Sequence, residues 1–112
     1  MNRYSLNRPM LLEQAQFTQD GAGGHATDWH SLGTHWTELS PGPAREVRGD
    51  IVPEGQMAFR IFLRSAPHDS PQRPRPGQRF RDGSRIFNIV AVSEADPLGA
   101  FLICHARERV PI

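Results

Sequence analysis

Glycine and proline punctuate this chain so often that its uninterrupted segments are only about ten residues long. Within them the apolar residues recur with a period of two more often than with a helical period, so short strands are the expected elements. Ten glycines and ten prolines among 112 residues, scattered rather than periodic, exclude a collagen-like repeat. The length suits one compact domain over residues 1–112. Leu, Ile, Val and Phe supply 25 residues, enough for one thin core, and a net charge of +1 argues against disorder.

The clearest strand is Gln56 to Arg64, where Met57, Phe59, Ile61 and Leu63 share one face and Gln56, Arg60 and Arg64 the other. Arg85 to Val92 has apolar residues on both faces, Phe87, Ile89 and Ala91 against Ile86, Val90 and Val92, which predicts a central strand covered on both sides. Asp82-Gly83 readily forms a tight hairpin turn, so Gln78 to Arg81 should pair with that strand. Ala100 to Arg107 returns after the loop Ser93 to Gly99 and completes a three-stranded meander. Further strands are expected at Met10 to Phe17 and His35 to Leu39, separated by a stretch containing Gly21, Gly23 and Gly24. Residues 1–9 read as an N-terminal arm, residues 40–55 and 65–77 as long Pro/Gly-rich loops, and Ala44 to Val47 as at most one helical turn. Loops of this length in a small domain are functional or disordered. The expected fold is all-β, a small antiparallel barrel or sandwich of five or six strands.

The basic residues are 13 arginines and no lysine, which excludes Schiff-base chemistry, a lysine general base and a P-loop. No signal-peptide pattern and no 18-residue apolar stretch occurs, so a soluble protein without a membrane partner is expected. The single cysteine, Cys104, can form neither an intrachain disulfide nor the paired thiolates of a structural zinc site. It reads as a small buried hydrophobe, since His105 beside it on a strand would face the other way. His25, Asp28, His30 and His35 are possible metal ligands without a recognised spacing, and exposed loop histidines flanking Trp29 and Trp36 are the plainer reading. No catalytic motif occurs, so neither an enzyme nor a cofactor is expected. Arg48-Gly49-Asp50 is a tripeptide that chance readily supplies in so Arg- and Gly-rich a chain.

The charge is divided. Residues 1–59 carry −3, residues 60–112 carry +4, and Arg60 to Arg85 alone carries +5. Two opposite ends favour stacking on copies or partners. Arg73, Arg75, Arg79, Arg81 and Arg85 are the strongest chemical signal, suited to phosphate or carboxylate. They support an alternative reading as a small nucleic-acid-binding barrel, although only Phe80 and Phe87 lie among them as stacking aromatics.

The run Pro76-Gly-Gln-Arg-Phe-Arg-Asp-Gly-Ser-Arg-Ile-Phe-Asn-Ile-Val-Ala-Val92, followed by Leu102-Ile-Cys-His-Ala-Arg107, resembles the C-terminal half of phage head-tail joining proteins, also called head-tail adaptor, head-closure or stopper proteins. Trp29 and Trp36, Glu38-Leu39, the Arg45-Glu46 pair and the Phe59 to Arg64 strand extend the likeness over Met10 to Glu108. Family members often carry a longer, more helical segment where Arg48 to Gly55 here holds Pro53 and two glycines. The resemblance implies a homo-oligomeric ring, expected to be a dodecamer, in the neck of a tailed phage or gene transfer agent assembled in the host cytoplasm. A portal or adaptor ring would lie above it and a tail terminator or tail tube below. Contacts with neighbours, the channel or packaged DNA are expected on the long loops and the basic run, at Arg45, Arg48, Asp50, Asp69, Arg73, Arg75, Arg79 and Arg81.

Overall fold

The computed structural model describes residues 4–19, 21–42 and 53–110. Among them are six strands: β1 (Arg8–Gln19), β2 (His25–Pro41), β3 (Gln56–Arg64), β4 (Arg79–Asp82), β5 (Arg85–Glu94) and β6 (Phe101–Arg109). Every pairing is antiparallel, and the order β1-β2-β3-β6-β5-β4 closes into a barrel where β4 returns to β1. The meander of β4, β5 and β6 forms as the sequence indicates. Asp82 pairs with Arg85 across a two-residue turn, Gly83-Ser84. Gly83 has φ of +62° at the first central position, a conformation glycine adopts without a Cβ clash.

The core fills the barrel. Met10 and Leu12 of β1, Phe59, Ile61 and Leu63 of β3, Phe80 of β4, Phe87 and Ile89 of β5, and Leu102, Cys104 and Ala106 of β6 are buried. Phe80 lies directly opposite Phe87, and Phe87 meets Phe59 edge-on with ring centroids 5.3 Å apart. Each large side chain buried here contributes about 1.5–3 kcal/mol relative to exposure. Met57, on the same strand face as Phe59, is 47% exposed because it lies beyond the core at one barrel mouth.

Four expectations need correction. The strand at Arg85 to Val92 is not covered on both sides: a bulge between Ile89 and Ala91 leaves Val90 outside the register and turns Val92 inward, where it packs on the core. The double-faced apolar pattern is thus one inward face that changes phase. The N-terminal strands are longer than expected, so His25 and His30, read as loop histidines, lie in β2, as do Trp29 and Trp36. Arg8 and Pro9 belong to β1 rather than to an arm, and Ser40 and Pro41 belong to β2 rather than to a loop. The preceding segment lies back on the barrel, with Tyr4 stacked on Phe62 at 4.6 Å and edge-on to Phe101. Ala44 to Val47 lies outside the described residues.

Residues 65–77 form an ordered strap. Turns at Pro67–Ser70 and Ser70–Arg73 fold it, Pro74 is buried, and Gln72 Nε2 donates to the Leu32 carbonyl at 2.8 Å. Gly33, at φ of +121° beside a register shift, brings its backbone close to Gln72: a Cβ there would lie 3.1 Å from Oε1. Beyond this point residues 14–19 and 25–30 pair only with each other. They form a two-stranded ribbon extending from the barrel, and the molecule measures 54 × 33 × 26 Å.

Candidate functional site

The root of this ribbon is held by charge. Glu13 of β1 lies just past the point where β2 bulges at Leu32, and it is nearly buried. Its Oε1 accepts from Arg79 Nε at 2.7 Å and its Oε2 lies 3.6 Å from Arg81 Nη1. The Arg79 guanidinium also lies over Trp29, 3.9 Å from the ring centroid, tying the ribbon to β4. Beside it, buried Gln78 donates from Nε2 to Gln14 Oε1 at 2.8 Å, while its Oε1 accepts the Arg75 backbone N–H at 2.9 Å. Sequence reading did not find Glu13, Gln14 or Gln78. Their signal was a polar run in a position that the barrel closure covers.

At one mouth, β5 and β6 separate. Their pairing begins at Asn88 with Arg107, whereas Glu108 and Arg109 pair with β3. A two-point ion pair spans the opening, Arg85 Nε to Glu108 Oε2 at 2.7 Å and Nη2 to Oε1 at 2.8 Å. That pairing raises the Arg85 pKa above its ordinary value. The guanidinium also lies 4.9 Å from the Phe87 ring centroid and 5.7 Å from that of Phe59, forming a charged lid over the core. A groove of about 550 Å³ runs past it, lined by Met57, Ile86 and Val110 among others.

The basic run therefore does not make one surface. Arg73 Nη1 donates to the Ala66 carbonyl at 2.8 Å and Arg75 Nη2 to the His68 carbonyl at 2.6 Å, bracing the strap. Arg79 and Arg81 converge on Glu13, and Arg85 on Glu108. Asp69 is exposed at the turn of the strap. Arg45, Arg48 and Asp50 lie outside the described residues.

The other named residues are dispersed. His25, Asp28 and His30 follow one another along the ribbon, whereas His35 packs edge-on against Phe80 within the barrel wall. Among the described residues no three His, Cys, Asp or Glu side chains come together as a metal site. Burial lowers the His35 pKa, only partly offset by a hydrogen bond with the Gln72 backbone. Cys104 is fully buried and its pKa is pushed up to about 12, also by burial.

On the outside of β2, β3 and β6 lies a second groove, of about 390 Å³, lined by Leu6, Thr34, His35, Trp36, Arg64 and Phe101. Trp36 is 58% exposed there, and Arg64 lies over the Phe101 ring at 5.9 Å. On the ribbon Phe17 is 70% exposed. These exposed aromatics and the arginine are of the types that dominate binding energy at protein interfaces.

The model of the phage head completion protein family matches residues 1–109. A chain in the virion of a native gene transfer agent particle is 47% identical, with 96% of this chain and 98% of that chain covered and a TM-score of 0.79. A protein from Shigella flexneri 2a, known from its solution structure, is 22% identical, with 96% of each chain covered and a TM-score of 0.68, a likeness of fold. No curated protein sequence matches.

Proposed function

Because this chain belongs to the phage head completion protein family, we propose that it is a structural subunit of the connector between the head and tail of a phage or gene transfer agent particle. The observation that carries this reading is the family match over residues 1–109, joined by 47% identity to a chain of a gene transfer agent virion. In this role copies form a head-closure ring, with a portal or adaptor ring on one side and a tail component on the other.

The geometry suits such a part. A small closed barrel is a rigid body, and a projecting ribbon on one side gives it reach toward neighbours. A subunit with different surfaces on its two sides makes heterologous contacts, which close into a ring when the rotation permits. The arginines of the strap and of the ribbon root hold these features in place rather than presenting a continuous nucleic-acid groove.

The test is removal. Particles assembled without this chain are expected to lose packaged DNA or to fail to attach tails, scored by nuclease-protected DNA and negative-stain microscopy. Heads that retain DNA and carry tails without it would end this reading.

A further inference from the structure

We propose that the ribbon of one copy docks in the Trp36 groove of the next, its Phe17-bearing face covering the aromatic surface on the neighbour's opposite wall. This rests on the ring assembly proposed above and names the contact that would build it.

Directly opposed residues share a face, so Ala15 with Trp29 and Phe17 with Thr27 form one side of the ribbon, and Gln14 with His30, Gln16 with Asp28 and Thr18 with Ala26 the other. The ribbon is thus amphipathic over residues with no third strand beside them and no sheet beneath. Six residues in an extended strand span about 20 Å, and a two-stranded ribbon alone is at best marginally stable in water. An apolar face kept on such an element needs a cover, and Phe17 at 70% exposure has none within its own chain.

The placement of the two surfaces selects a second copy as that cover. Trp29 is stacked under Arg79, so the apolar face of the ribbon turns toward the β4 side of the barrel. Trp36 and Phe101 alternate with buried Thr37 and Leu102, which puts them on the outside of β2 and β6 beside Arg64 of β3; Tyr4 packs edge-on to Phe101 at one side of this surface, and Trp36 is its open aromatic ring. In the cyclic order of six strands β3 lies three steps from β4, on the opposite wall. Two different surfaces that face away from each other cannot satisfy one another within a chain or in a two-fold dimer. They can do so head to tail, repeated around a ring.

Cysteine pairing in assembled particles tests this. The full chain carrying both Phe17→Cys and Trp36→Cys, oxidised in particles, is expected to give a ladder of covalent multimers on a non-reducing gel, while each single variant stays monomeric because Cys104 is buried. A ring visible in the particles without a ladder overturns the docking and leaves the connector role intact. Dimers from Phe17→Cys alone also overturn it, since ribbons would then meet each other. Absence of any ring in unmodified particles would instead remove the assembly reading. A second measurement covers poor incorporation of the double variant. Phe17→Ser, with an unchanged thermal midpoint, should enter particles about tenfold less and Phe17→Trp normally; Phe17→Ser entering at the normal level contradicts the docking.

Discussion

Glu13 holds a nearly buried carboxylate between Arg79 and Arg81, and its loss would leave Arg79 without its closest partner. Removing one member of a buried pair costs about 3–5 kcal/mol, so Glu13→Ala should lower stability in urea unfolding by an amount near the bottom of that range. Arg8→Ala breaks a pair with Asp82 whose side chains are about one-third exposed, and should cost under about 1 kcal/mol. Equal effects would show that the ribbon root is not held by charge. His35 gives a pH dependence of known sign. Its folded-state pKa lies below the ordinary value of 6.5, chiefly through burial, so the unfolded chain takes up the proton first. Its contribution is fully favourable above about pH 6.5 and is lost as the pH falls below that value toward the folded pKa. His35→Leu should flatten this part of the urea-midpoint profile, and an unchanged slope would assign the effect elsewhere.

Strands were legible where apolar residues alternate against charge, as in Phe59, Ile61 and Leu63 of β3, and where Asp82-Gly83 fixes a turn. They were only partly legible in the ribbon, where the expected strand from Met10 stopped at Phe17 and the start of β2 read as loop: Phe17 and Trp29 stand among Gln, Thr, His and Ala, and an element without a core beneath it keeps little hydrophobic pattern. Bulges hid the remainder: one unpaired residue at Val90 turns a single inward face into an apparent double one. The strap could be located from its prolines, but its docking through Gln72 on Leu32 arises from long-range packing. Phe80→Ala, at a fully buried site where β4 pairs with both β1 and β5, should cost about 3–5 kcal/mol. Phe17→Ala should change stability by less than about 0.5 kcal/mol. A large loss at Phe17 would place it in the fold rather than at a contact surface.

For the whole molecule, the scarcity of large apolar residues is met by a small closed barrel whose interior eleven core residues fill, with Arg85 and Glu108 closing a mouth. The candidate site was legible only in part. The arginines of residues 73–85 were visible as a charge run, but their partners Glu13 and Glu108 lie 66 and 23 residues away from Arg79 and Arg85, a distance that periodicity does not bridge. The resemblance through Pro76 to Val92 led to the right family because that stretch contains the β4–β5 turn and the inward Phe80 and Phe87. The proposed ring between head and tail can be seen or refuted in a localised cryo-electron microscopy reconstruction of the particle neck. Six-stranded barrels are expected repeated around the channel at the head-tail junction, each with its ribbon reaching the adjacent copy. A neck whose density is filled by other chains, with this one found elsewhere in the particle or nowhere in it, would refute the ring.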